Sequence, residues 1–170
     1  HVPWKAMLIG SIVLTVLRLM LIAWLSPFAL SGDEAQYWDW SRQLAWGYFS
    51  KPPMIAWVIG ATTSVCGDGE ACIRTAAPLL HAASAFVLFF AGRALYDQRV
   101  GLWSAATFAL MPGTTFSSLL ITTDVPLLFF WALALWALAE LRRTREPHWA
   151  VLLGAAIGLK LLFGLPLLLG

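Results

Sequence analysis

Apolar residues run unbroken for long stretches of this chain, and polar residues gather between the runs. Residues 6–25 carry a single charge, Arg18. At 1.5 Å per residue, a run of that length crosses a hydrocarbon layer of about 30 Å. Comparable runs cover 71–92, 100–120, 125–141 and 149–169, which predicts five membrane-spanning helices. Residues 54–66 are also apolar, but the piece is short and contains Gly60, Thr62, Thr63 and Ser64. It reads as a helix lying in the interface or buried in protein. The first run is too long for a removable signal peptide, and Trp24-Leu25-Ser26-Pro27 is no cleavage site.

The basic residues choose the orientation. If residues 54–66 lie flat, then Lys5, Arg93, Arg99, Arg142, Arg143 and Arg145 all fall on one side. Positive charge marks the cytoplasmic side, so the N-terminus is expected there. Residues 26–70 then form one external loop, far longer than most connections and rich in Trp and Tyr. Residues 33–46 read as an amphipathic helix with Gly47 as its C-cap, because Tyr37, Trp40, Leu44 and Tyr48 recur at spacings of three and four. Both loop helices are expected to rest on the outer leaflet with aromatic residues as their lipid-facing edge.

Composition strengthens the class. Hydrophobic residues make up 60% and charged residues 12%, mean hydropathy is +0.77, and there are 10 Trp. That excludes an ordinary soluble domain. The expected fold is an all-α integral membrane module over residues 1–170, with the bilayer as partner and no nucleic acid.

Candidate chemistry sits on the external face. Asp33 and Glu34 follow the first span directly, and Lys51 stands on a stiff Lys-Pro-Pro turn. Asp124 lies between the third and fourth runs, on the same side under this topology. Acid and cation beside a bilayer suit chemistry on a lipid-borne phosphate. Tyr48 and Arg74 are further candidates for contacting a substrate. Each residue also has a plainer role: Asp33, Glu34 and Asp124 as helix-start acids, Lys51 as an anchor to lipid headgroups. Arg18, Arg74 and Lys160 either are buried structure or support a phosphate, and His81 reads as a packed polar residue. Cys66 and Cys72 flank a Gly-Asp-Gly turn, so both a disulfide and two buried thiols are open. A transporter or a non-catalytic membrane subunit would also carry charges near helix ends. A transporter would more often show paired broken helices near the midplane, and a structural subunit would lack the acid–lysine loop.

The order Gly32-Asp33-Glu34-Ala35-Gln36-Tyr37, Tyr48-Phe49-Ser50-Lys51-Pro52-Pro53 and Ile73-Arg74-Thr75-Ala76-Ala77-Pro78 resembles the N-terminal part of the polyprenyl-phosphate-sugar transferases. These include the protein O-mannosyltransferases and the bacterial aminoarabinose transferases. Gly92-Arg93-Ala94-Leu95-Tyr96 and Thr122-Thr123-Asp124-Val125-Pro126 resemble the spans that follow in that family. The resemblance implies an inverting glycosyltransferase of the GT-C type, using a sugar on a polyprenyl phosphate, with its active face periplasmic in a bacterial inner membrane. It implies a catalytic role for Asp33, with Glu34 as its neighbour, a donor-phosphate contact for Lys51, and a site acid in Asp124. Aminoarabinose transferases place a glutamate with a metal-related role just before that lysine, where this chain has Ser50, so no metal site is carried over. A divalent metal remains an open cofactor, and the acceptor is open as well. Family members have more spans than these residues supply, so this stretch alone is expected to be inactive.

Overall fold

The computed structural model describes residues 4–25, 29–48, 51 and 53–164, without the side chains at 6, 25 and 160–164. All regular structure among them is helical: α1 (Trp4–Leu25), α2 (Gly32–Ser41), α3 (Met54–Cys66), α4 (Glu70–Arg74), α5 (Ala76–Leu95), α6 (Gln98–Leu110), α7 (Pro112–Ser117), α8 (Asp124–Thr144) and α9 (Pro147–Gly164). Among the described residues, three helices are long and apolar enough to cross a membrane: Met7–Trp24, Glu70–Leu95 and Asp124–Thr144. The protein is an integral membrane protein on that ground. Ser50, the side chain of Lys160 and the end of the expected fifth span (165–169) lie outside the described residues.

The expected third span, 100–120, is not one helix. Met111 is extended (ψ 134°) and Pro112 opens α7. Proline lacks an N–H and disfavours helical geometry in the residue before it, so the ladder stops at Leu110. The expected fifth span appears as α9, whose apolar stretch 147–159 is among the shorter ones.

α5 is the hub, packing on α6 and α8, with α9 against α8 and α1 along its side. The α5–α6 hairpin is closed by two glycines. A Cβ on Gly101 would sit 2.5 Å from the Phe89 carbonyl oxygen, and one on Gly92 would sit 2.8 Å from the Gly101 Cα. Only hydrogen lets the two backbones approach so closely. Gly101→Ala is therefore expected to force the helices apart and lower the thermal unfolding temperature in detergent. Gly10→Ala, with nothing within 4 Å, is expected to leave it unchanged.

Above this bundle, α2 and α3 pack on each other. They share a core with the starts of α5 and α8: Tyr37, Ile55, Ile59, Ile73, Ala76, Ala77, Ile121 and Val125 are all nearly inaccessible. The Tyr37–Trp40 edge of α2 thus faces protein rather than lipid. Leu44 and Trp46, beyond the helix, are exposed, as is Val65 near the end of α3. α2 also stops at Ser41, well short of Trp46, with Arg42 as its C-cap. The cause is local. The Ser41 hydroxyl donates back to the Trp38 carbonyl at 2.6 Å, and the Arg42 and Gln43 amides make tight i−3 bonds. Tyr48 then folds over the end. Its ring stacks on Trp40 at 4.8 Å, and its hydroxyl lies 2.8 Å from the Trp40 carbonyl and 2.9 Å from that of Gln43. The Ala45 amide donates to the same oxygen at 3.1 Å.

Cys66 and Cys72 form a disulfide, with Cα atoms 5.9 Å apart. The bridge joins the end of α3 to α4. Asp68, inside the closed loop, accepts from Trp38 Nε1 at 3.2 Å and from Arg42 Nη1 at 3.3 Å. The Arg42 guanidinium lies over the Trp38 ring at 5.2 Å. These contacts are exposed, so each is worth about 1 kcal/mol or less.

Candidate active site at the starts of α2 and α8

Ser31 starts the site. It caps α2 by accepting the Glu34 amide at 3.4 Å, while its own amide donates to Glu34 Oε2 at 3.0 Å. This reciprocal box is the reason a helix begins here. It also fixes what the adjacent acids do. Position two of the helix turns Asp33 outward, where it is exposed. Position three turns Glu34 inward, where 1% of it is accessible.

Glu34 is fully engaged. Arg74, at the end of α4, donates from Nε to Oε1 at 2.9 Å and from Nη2 to Oε2 at 2.8 Å. The Ile121 amide adds a bond to Oε1 at 3.1 Å. Arg74 Nη2 also reaches the Ala29 carbonyl at 3.4 Å. One carboxylate therefore clasps the entry to α2, the end of α4 and the segment just before α8. Burial alone would raise the Glu34 pKa. The Arg74 hydrogen bonds and the Ser31 and Ile121 amides outweigh it and leave the carboxyl below its ordinary value. Arg74 is likewise 5% exposed and committed to this pair.

The remaining acids face outward around Tyr37. Asp33 lies one turn before it on α2, and Asp124 opens α8. Both are exposed. Burial raises the Tyr37 phenol above its ordinary pKa, and the charges of Asp33 and Asp124 raise it further. The charges of carboxylates from two distant parts of the chain are thus both felt at one phenol. Lys51 is half-buried and makes no ion pair with a described carboxylate. Tyr48 spends its hydroxyl on the end of α2, as described above.

The sequence placed Asp33, Glu34, Lys51 and Asp124 on one face and offered Tyr48 and Arg74 as further substrate contacts. The structure sorts them. Asp33 and Asp124 are exposed at the starts of α2 and α8, Glu34 and Arg74 come together in the interior, and Tyr48 belongs to α2's end. The Ile121 amide carries no sequence signal, since every residue but proline has one. The Ser31-x-x-Glu34 spacing was the available clue to Glu34.

Among the described residues no group of three or more His, Cys, Asp or Glu side chains gathers as a metal site would require. The large apolar trough between α1, α5 and α6, lined by Met7, Leu14, Leu17, Ala85 and Ala109, holds no charged side chain and stands apart from this chemistry.

Residues 50–167 match the family model described as dolichyl-phosphate-mannose-protein mannosyltransferase. The chain belongs to that family. Its members of the GT-C type are glycosyltransferases that draw on polyprenyl-phosphate sugars. Among curated proteins, the lipid A galacturonosyltransferase RgtD of Rhizobium johnstonii is 44% identical over 131 residues, which is 76% of this chain. Those residues span 28% of that relative's length. No solved structure matches the chain. The family match covers Lys51, Arg74 and Asp124, while Asp33 and Glu34 lie ahead of the matched residues.

Proposed function

We propose that the chain supplies the acid-bearing outer wall of an inverting glycosyltransferase, moving a sugar from a polyprenyl phosphate to a lipid acceptor. The observation that carries it is a match to this family in a chain that exposes Asp33 at the start of α2 and Asp124 at the start of α8. In the reaction, an acceptor hydroxyl attacks the anomeric carbon from the face opposite the phosphate. The new C–O bond forms as the bond to phosphate breaks, and configuration inverts. The hydroxyl proton passes to the Asp33 carboxylate, acting as general base. The electron pair leaves with the lipid phosphate, whose added charge Lys51 stabilises as a point cation. Asp124 borders the acceptor side. Glu34 and Arg74, buried and mutually satisfied, hold Asp33 in place.

Two features favour a lipid acceptor on the periplasmic side. The relative sharing 44% identity is a lipid A galacturonosyltransferase. The Cys66–Cys72 bridge lies on the same face as the acids, and disulfides persist in oxidising compartments such as the periplasm. The basic ends of α5 and α8 (Arg93, Arg142, Arg143) then face the cytoplasm.

The test is transfer in membranes containing the complete enzyme, with a polyprenyl-phosphate-linked uronic acid as donor and lipid A as acceptor. Transfer with inversion supports the reading. Absence of transfer from any polyprenyl-phosphate sugar, with export or import of solute instead, would favour a transporter. Lys51→Met is expected to raise the donor KM and lower turnover, whereas Lys51→Arg keeps the cation and most of the rate. Steady-state kinetics on the two variants checks this.

A further inference from the structure

Two buried polar groups below the site take no part in the chemistry above. Arg18 of α1 is 3% exposed and His81 of α5 is 1% exposed. Arg18 Nη2 donates to the Ala109 carbonyl at 2.6 Å and lies 3.4 Å from Thr115 Oγ1. His81 Nε2 lies 3.2 Å from Ser117 Oγ, and its ring packs on Phe108 at 5.8 Å. Arg18 has no carboxylate partner among the described residues. A lone guanidinium amid apolar helices is costly, so its position calls for a reason.

The reason lies in the broken helix. Because α6 stops at Leu110, the carbonyls of its last turn beyond Thr107, which accepts the Met111 amide, have lost their intrahelical partners. Arg18 supplies a donor to one of them and sets a cation at the negative end of α6. Its second contact is to α7, and His81 holds the same short helix two residues further on. From above, the Ile121 amide is held by Glu34. The segment 111–123 is thus tied from α1 and α5 beneath and from α2 above, and Asp124 follows it directly.

We infer that Arg18 and His81 are positioning residues: they fix the broken α6–α7 segment and, through it, the place of Asp124. The inference rests on the site role proposed for Asp124. Neither side chain touches substrate. Both act through backbone geometry, where a displacement of about 1 Å at a reacting group costs as much as 10²-fold in rate.

A double-variant cycle in the complete enzyme tests it. Arg18→Met is expected to lower kcat by about 10- to 100-fold with the donor KM little changed. Arg18→Lys, which keeps a cationic donor for the Ala109 carbonyl, is expected to recover most of that rate. Added to Asp124→Asn, Arg18→Met is expected to cause little further loss, because the group it positions is already gone. His81→Leu is expected to behave in the same way. Where Arg18→Met does not accumulate in membranes, Arg18→Gln carries the test. Multiplying losses in the double variant would overturn the inference. So would an unchanged kcat per folded molecule in both Arg18 variants with only the unfolding temperature lowered. Wild-type turnover in Asp33→Asn would instead defeat the functional reading, while the Arg18–Asp124 cycle would still report its own coupling.

Discussion

Asp33→Asn is expected to lower the rate of sugar transfer by about 10²–10⁴ while the protein still folds and binds its donor. The amide keeps the size of the carboxylate and removes its ability to take a proton. Folding is expected to survive because Asp33 is exposed and makes no bond in the α2 cap. The measurement is single-turnover transfer with the donor saturating, alongside thermal unfolding in detergent. A normal rate would place the base elsewhere, and Asp124 would be the next residue to test. Glu34→Gln is the informative control, because it should cost stability before it costs chemistry.

The second large effect is on stability. Arg74→Met leaves Glu34 buried with only the Ser31 and Ile121 amides. Breaking one partner of a buried pair typically costs about 3–5 kcal/mol. That is a large part of the stability of most domains. The variant is expected to accumulate poorly or to unfold at a clearly lower temperature. The same clasp sets a pH dependence with a definite sign. The Glu34 carboxyl titrates lower in the folded protein than its ordinary value of 4.5. Its contribution is therefore fully present above that ordinary value and is lost as pH falls through the folded value. Acid unfolding monitored by circular dichroism should steepen below about pH 4.5, and Arg74→Met should flatten that limb.

Much of the architecture was legible as unbroken hydrophobicity, because α1, α5 and α8 each bury or immerse nearly every side chain. The break at Pro112 was not. The residues on both sides of it are apolar, so the run reads through a turn that only backbone geometry reveals. The early end of α2 was hidden for another reason. Tyr48 matched the helical spacing of Tyr37 and Trp40, yet it reaches that face by folding back rather than by continuing the helix. At the site, the outward Asp33 and inward Glu34 follow from the Ser31 cap, a local pattern. The Glu34–Arg74 pair joins residues forty positions apart, and no periodicity encodes a contact of that kind. The arginine looked like a free cation until the fold supplied its partner.

The interruption between α6 and α7 also bears on the lipid around the protein. Thirteen residues of α6 rise about 20 Å, against a hydrocarbon thickness of about 30 Å. Irregular backbone at membrane depth persists where it is shielded by protein or lines a watery recess. Here the shield is Arg18 and His81 below and Glu34 above. Where lipid meets the short α6 directly, local thinning of the bilayer is the response a mismatch of this size favours. That response sinks the aqueous boundary toward the acids. On the function proposed above, a lipid-borne phosphate at the headgroup plane would then lie nearer to those acids.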